Sequence, residues 1–515
     1  MPSSVSASLS PMLTDLYQLT MAQAYWSAGI TDTHACFHVS FRSNPFGGGF
    51  ALACGLESAA AYLESLHFSA EDVAYLAERT GNDGRPLFNG EFLHWLKALE
   101  FACDVDAIAE GVVVFPNEPL LRVTGPIVQS QIVETALLNL INFQTLVATK
   151  AARVCYAAAG DPVMEFGLRR AQGPNGGVLA SRAAYVGGCA STSNVLAGQR
   201  FGIPISGTHA HSWVMAFDSE LESFEAYANA MPNNCTLLVD TYETLQGVRN
   251  AIEVGRQLRE RGHKLAAIRI DSGDLAWLSI RARAILDENG FEDVRIIASN
   301  ELDEHLITSL KEQRAAIDIW GVGTKLATAW DQPALGGVYK LSAIRRPGED
   351  WISRIKVSEQ TAKMTTPGLL GVRRYRRAGK LIGDMVYDVR KPPLAGCCMV
   401  DPADPIRRKS FQPSDEHVDL LEAVFRGGKL VMEMPPVSEV RARALSGLAE
   451  LDPSTRRFLN PHTYHVGLEE HVHDERTRLV LQARDNGANL GAPQASAGGP
   501  AVDVSSAQPV DQTGE

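Results

Sequence analysis

Two rhythms of apolar and polar positions divide the chain, and they change over near Pro126. Ahead of it, a helical periodicity behind Pro11 (Leu13, Leu16, Tyr17, Thr20, Met21, Ala24) predicts an opening helix, and Leu52 to Leu66 predicts another. Ala35 to Phe41, Gly111 to Phe115 and Leu120 to Val123 are short strand-like runs. The mixture predicts an α+β domain over residues 11–125, behind a flexible N-terminus of residues 1–10.

Beyond Pro126 a long helix is expected, because Ile132, Ala136, Leu137, Leu140, Ile141 and Phe143 make a broad apolar stripe. Seven short apolar runs then recur: Val163 to Phe166, Ile203 to Ser206, Leu237 to Val239, Ala266 to Ile270, Val294 to Ala298, Ile317 to Trp320 and Val338 to Ser342. Most are separated by helical patterns such as Tyr242 to Glu260 and Asp274 to Asp287. Repeated strand and helix with β-rich buried runs imply parallel strands, and seven of them favour an α/β barrel over residues 126–345. Residues 346–484 are expected to pack on the barrel and the N-terminal domain. The stretch 485–515, one leucine among Gly, Ala, Pro, Gln, Ser and Asp, reads as a disordered tail.

Composition narrows the function. A formal net charge of -12 over 515 residues argues against a general nucleic-acid or anionic-membrane surface, while leaving room for a few arginines in one cleft. No stretch reads as a membrane span or a secretory signal, so the expected location is cytoplasmic. The eight cysteines lie mostly among apolar neighbours with no CxxC pair, which reads as reduced thiols and gives a structural zinc site little support.

The polar residues follow the apolar runs, so in a parallel barrel they converge on one mouth. They are Gly167-Leu168-Arg169-Arg170, Gly207-Thr208-His209-Ala210-His211, Asp240-Thr241-Tyr242, Asp271-Ser272-Gly273-Asp274, Ser299-Asn300 and Gly321-Val322-Gly323-Thr324, with Gly336-Gly337 ahead of the last run. Arginines, carboxylates and glycine turns together suit phosphate and metal chemistry. Asp271 is the stronger Mg²⁺ candidate, whereas one of Asp271 and Asp274 doubles as a helix cap. Arg269 shares a strand face with Asp271, to bind an anion or to form an interior ion pair. Arg169, Arg170 and Arg182 suggest anion binding, with strand alternation turning only one of the adjacent two inward. Backbone N–H groups at Gly323-Thr324, at Ser299-Asn300 before a helix beginning at Glu301, and at Gly207-Thr208 offer phosphate contacts. The His209/His211 pair fits either two ligands of a metal-dependent hydrolase or one histidine acting as nucleophile or base with Asp240 as its orienter. Spacing does not choose between the two histidines.

These residues stand in blocks that closely resemble the nicotinate phosphoribosyltransferase family. The blocks are Thr14-Asp15-Leu16-Tyr17-Gln18-Leu19-Thr20-Met21, Phe41-Arg42-Ser43-Asn44-Pro45-Phe46-Gly47-Gly48, Glu165 through Pro174, Ser193 through Gly198, Gly207 through Ser212, Arg269 through Asp274 and Leu335 through Leu341. The resemblance implies a type II phosphoribosyltransferase: an irregular parallel α/β barrel with a second α/β domain built from N- and C-terminal segments, in a homodimer with shared sites. It implies ATP-stimulated condensation of nicotinate with 5-phosphoribosyl-1-pyrophosphate in NAD salvage, with Mg²⁺ as cofactor and ATP as co-substrate. His211 would be the phosphohistidine, acting with Asp240 and Asp271. Arg269 would hold the nicotinate carboxylate, with Tyr17 and Asp15 reaching the ring from the neighbouring subunit. Arg169, Ser299, Gly323 and Thr324 would line the phosphoribosyl side, Gly207, Thr208 and Ser212 would also bind substrate, and Asp271 and Asp274 would help hold Mg²⁺. Nicotinamide phosphoribosyltransferase is the near alternative; Ser191-Thr192-Ser193-Asn194 carries no acid to receive an amide, which favours the carboxylate substrate. A hydrolase barrel and a non-catalytic binding protein are the remoter readings. Lys356, Arg373, Arg374 and Arg376 would either meet phosphates across the dimer or form a solvated basic face.

Overall fold

The computed structural model describes residues 10–358 and 364–491. Its centre is a curled sheet of six parallel strands that forms half a barrel. In spatial order the strands are Ser191–Thr192, Val163–Glu165, Ile319–Val322, Arg295–Ala298, Leu265–Ile270 and Cys235–Leu238. Every pairing is parallel, so all six carboxyl ends open on one mouth. Helices such as Thr244–Glu260 and Leu275–Glu288 return the chain between strands, burying Val248, Ala251, Val254 and Leu258, or Leu275, Ala282 and Leu286, against the sheet.

Two expected strands fall differently. Ile203 to Ser206 contributes only an isolated bridge, Thr192 to Ile205, at the sheet edge. The run Val338 to Ser342 leaves the barrel altogether: strand Gly337–Arg345 pairs antiparallel with His34–Phe41 in a seven-stranded sheet. A β-rich run between covered faces looks the same in either setting, so only the pairing distinguishes them. Leu421–Arg426 pairs with Asp104–Ile108 in that second sheet, joining N- and C-terminal segments.

The segment after residue 345 does more than pack on the other parts. It builds a six-stranded sheet of its own, including Leu370–Arg377, Lys380–Asp388 and Val466–Glu469. The tail expectation also shifts, because the last helix, Glu470–Gly491, runs through residues placed in the disordered stretch. Residues 1–9 and 492–515 lie outside the described residues.

The expectation that no stretch could span a membrane needs correction. The helical run Ile127–Ala157 is long and apolar enough by composition, but 67% of its most apolar window is buried inside the protein. Lys150 and Arg153 on this run reach Glu304, each at 2.7 Å, in full burial. Helices that are apolar all round belong in a core as readily as in a bilayer.

His38, on strand His34–Phe41, ties the second sheet to the third: its Nε2 accepts the Leu370 amide at 3.1 Å. Burial, reinforced by Arg122, lowers its pKa to about 3. The unfolded imidazole titrates near 6.5, so the folded state binds fewer protons and stability falls as pH drops below that value. Lowering the pH from 7 to 5 is therefore expected to cost about 2 kcal/mol through this one group. His38→Gln, which keeps an acceptor but does not titrate, removes that component, as denaturant midpoints at the two pH values would show.

Candidate active site

The mouth of the half-barrel is organised around Arg269. Its Nε donates to Ser299 Oγ at 2.7 Å, its Nη1 to Thr208 Oγ1 at 3.0 Å and its Nη2 to Asp271 Oδ1 at 2.8 Å. Ser299 Oγ also donates to Asp271 Oδ1. Three expected site residues from three different strand ends or loops thus converge on one guanidinium. The ion pair foreseen as an alternative for Arg269 and Asp271 is present. The guanidinium keeps 15% side-chain exposure and lies 5.6 Å from the Phe166 ring centroid. Phe166 was not among the expected site residues. The signal was its place between Glu165 and Gly167 at a strand end, but an apolar ring there reads as core.

Asp240 is the second organiser. Its side chain is fully buried, while His211 is 39% exposed. Oδ1 meets His211 Nε2 at 3.2 Å; Oδ2 accepts the Asp271 amide at 2.9 Å and Ser272 Oγ at 2.6 Å. With the Nε2 proton held by the carboxylate, His211 presents Nδ1 as its free basic nitrogen.

His209 has a different role. Its Nε2 accepts the Leu238 amide at 3.2 Å, and Nδ1 lies 3.4 Å from the Ala210 carbonyl. Burial, with Arg269 and His211 nearby, lowers its pKa despite the Ala210 contact. Both ring nitrogens are engaged, so His209 is not available as a metal ligand. Among the described residues no group of three or more His, Cys, Asp and Glu side chains is placed to hold a metal. The two-histidine hydrolase reading loses its ligand set.

The carboxylates offered for Mg²⁺ are partly committed. Asp274 caps helix Leu275–Glu288 by accepting the Trp277 amide at 3.0 Å, which assigns the capping role to it. Asp271 spends Oδ1 on Arg269 and Ser299. Each keeps its other oxygen uncommitted among the described residues. That donor set does not build a cage; it fits an ion bringing phosphate oxygens of its own, as Mg²⁺ does.

On the phosphate side, Arg169 and Arg170 lie in a single turn of 3₁₀ helix, Leu168–Arg170, instead of on a strand. Both are exposed and make no side-chain hydrogen bond or ion pair among the described residues, so alternation does not separate them. Gly323 stands at the N-terminus of the short helix Thr324–Ala327, and Thr324 Oγ1 donates to Glu301. Gly207 and Ser212 are exposed at the same mouth. The helix expected at Glu301 begins at Glu304, capped by Asp303, and Asn300 takes a positive φ of 121°, a strained conformation directly after Ser299. Gly321 serves packing, since a Cβ there would meet Phe166 at 2.8 Å. Gly337 does likewise against Asn142, at 2.0 Å.

Arg182 is not part of the site. It is buried with Glu110 and Glu57, at 2.6 Å from each. Arg373, Arg374 and Arg376 pair with Asp419, Asp384 and Glu450, which replaces the expected solvated basic face with ion pairs. Lys356 is exposed and, with Arg42, lowers the pKa of half-buried Lys340 beyond what burial does. Asp15 precedes helix Leu16–Ser27, three residues later than the expected helix start, and accepts from Thr135 Oγ1 at 2.9 Å. Tyr17 beside it is 48% exposed. Their contacts are with the start of helix Glu134–Ala157, and no hydrogen bond or ion pair among the described residues joins them to Arg269 or His211.

Comparison with known proteins bears on this arrangement directly. Residues 12–142 match the nicotinate phosphoribosyltransferase N-terminal domain, residues 162–351 the family's central region and residues 371–476 its C-terminal domain. The nicotinate phosphoribosyltransferase of Bacillus subtilis is 42% identical over 478 residues, covering 92% of this chain and 95% of the relative. The human relative of that name is 35% identical, with 90% and 96% covered. The crystal structure of human nicotinic acid phosphoribosyltransferase superposes with a TM-score of 0.79 at 33% identity, over 90% of this chain and 99% of that one. The half-barrel with its second, composite sheet is the architecture of a type II phosphoribosyltransferase. Within that class, the chain belongs to the nicotinate phosphoribosyltransferase family.

Proposed function

We propose that the protein joins nicotinate to 5-phosphoribosyl-1-pyrophosphate, giving nicotinate mononucleotide and pyrophosphate, and that ATP stimulates the reaction through a phosphohistidine at His211. The observation that carries the reading is the Arg269 guanidinium, partly accessible at the mouth and flanked by the Phe166 ring. A flat face beside a fixed cation is a slot for an aromatic carboxylate, the two features of nicotinate that nicotinamide only half shares. Relatives named for nicotinate along nearly the whole chain support it.

In the forward reaction the pyridine nitrogen attacks ribose C1, the C1–O bond to pyrophosphate breaks, and the bonding pair leaves with the pyrophosphate. The pyridine nitrogen is already nucleophilic, so no strong base is needed. What the protein supplies is position and charge: Arg269 holds the ring, while Arg169, with the Gly323 and Thr324 amides, faces the phosphate groups. Mg²⁺, held by the free oxygens of Asp271 and Asp274 and by the substrate, would neutralise the leaving group. In the ATP half-reaction His211 Nδ1 attacks the γ-phosphorus and ADP leaves. Asp240 keeps the opposite nitrogen protonated throughout. The phosphoryl group then changes substrate affinity and does not attack the sugar.

Tyr17 and Asp15 act on the site of a second copy in a homodimer. The exposure of Leu16 and Tyr17 on one helix end supports this, because such a surface asks for cover. Arg42 and Lys356 lie close enough to half-buried Lys340 to lower its pKa by repulsion, and cations so grouped suit the phosphates of the same neighbour.

His211→Ala is expected to abolish ATP stimulation and the acid-labile phosphorylation of the protein, while turnover without ATP persists. Pyrophosphate release from phosphoribosyl pyrophosphate, measured with and without nicotinate and ATP, checks the turnover, and acid-labile phosphate on the protein after incubation with ATP checks the phosphorylation. Full ATP stimulation in the variant rejects the phosphohistidine, and no nicotinate-dependent release from the native protein rejects the activity.

A further inference from the structure

We infer that His209 is a positioning residue: its neutral imidazole stands in for a missing strand at the open seam of the half-barrel and thereby fixes the spacing of His211 and Asp240. The inference rests on the phosphohistidine reading above for its consequence, but not for its geometry. The parallel sheet ends on one side at the Ile205 bridge and on the other at Cys235–Leu238, whose only strand partner among the described residues is Leu265–Ile270. Val239 N donates towards that partner, to the Arg269 carbonyl at 3.1 Å. The preceding amide, Leu238, faces the unpaired side, and its residue is 1% exposed. A buried N–H left without an acceptor is destabilising, because it has given up its bond to water with nothing in return. His209 Nε2 takes that bond.

The bond has the register of a strand pair. His209 and Leu238 are 29 residues apart, and so are His211 and Asp240. Two residues after the seam contact on each segment, the chain delivers the two members of the reactive pair. Only the tautomer with its proton on Nδ1 serves, because Nε2 must accept and Nδ1 faces the Ala210 carbonyl at 3.4 Å. The ring is wedged against Tyr227, at 4.8 Å between centroids, and Phe224, at 6.1 Å. Tyr227 also packs on Trp213, whose Nε1 donates to the Ser223 carbonyl at 3.1 Å. The helix His211–Val214 is therefore gripped on both sides of His211: by His209 before it and Trp213 after it. The charged and titratable groups facing His209 are Arg269, His211 and Tyr227.

Two variants separate positioning from chemistry. His209→Gln places an amide oxygen near the Nε2 position, and His209→Leu fills similar space with no acceptor. The full-length variants are followed by amide hydrogen exchange at Leu238 and by ATP-dependent phosphorylation of His211. Relative to the native protein, the glutamine variant is expected to keep both readouts within about threefold, and the leucine variant to exchange at Leu238 and lose phosphorylation by about tenfold or more. A leucine variant matching the native protein in both overturns the inference. If the leucine variant does not fold, the glutamine variant decides: a protected Leu238 amide with phosphorylation lost would give the imidazole a chemical role and overturn positioning. A native protein that forms no phosphohistidine defeats the functional reading alone, and Leu238 exchange in the variants still tests the seam.

Discussion

Arg269→Ala is expected to lower kcat/KM for nicotinate about a thousandfold, an effect of about 4 kcal/mol. The substitution removes the cation proposed for the substrate carboxylate. It also strands Asp271 and Ser299, which now share the guanidinium, so a negative carboxylate is left where the substrate brings another. The loss should be specific for charge: kcat/KM for nicotinamide is expected to change by about tenfold at most. Steady-state kinetics with both substrates on the purified variant make the comparison. Equal losses for the two would mean that Arg269 supports the fold of the mouth and does not read the carboxylate.

Asp240→Asn carries the second large effect, because one carboxylate serves three partners. An asparagine offers a single acceptor oxygen. If that oxygen stays with the Asp271 amide and Ser272, the NH₂ faces His211 Nε2 and forces the ring proton onto Nδ1, removing the lone pair that would attack ATP. Phosphohistidine formation is expected to fall about a thousandfold, by analogy with other aspartates that hold a catalytic histidine in its tautomer. Rapid-quench measurement of acid-labile protein phosphate tests this, and phosphorylation within about threefold of the native rate would remove Asp240 from the role.

How much of this was legible in the chain depends on the kind of contact involved. The parallel α/β core was readable because apolar runs and helical stripes alternate, and the convergence of Thr208, Asp240, Arg269, Asp271 and Ser299 follows from strand ends sharing one mouth. Strand Gly337–Arg345 pairs in the second sheet and not in the barrel, which is not legible because its apolar run carries no mark of the neighbour it pairs with. Ser191–Thr192, only two residues long, is too short to show any period. The choice between His209 and His211 was hidden for a different reason: it turns on a backbone amide 29 residues away. Buried arginines posed the same problem. Arg182 and Arg374 looked like anion readers until their carboxylates appeared, Glu57 and Glu110 for one and Asp384 for the other. A burial that demands a counter-charge can be foreseen, but the identity of the partner is a property of the fold.

The central claim is that this mouth selects nicotinate. It is tested most directly by incubating the native protein with phosphoribosyl pyrophosphate and Mg²⁺, with equimolar nicotinate and nicotinamide in competition, with and without ATP, and identifying the mononucleotide by mass. The account predicts nicotinate mononucleotide as the dominant product, in a larger amount when ATP is present. Nicotinamide mononucleotide as the dominant product, or no mononucleotide from either substrate, would contradict it.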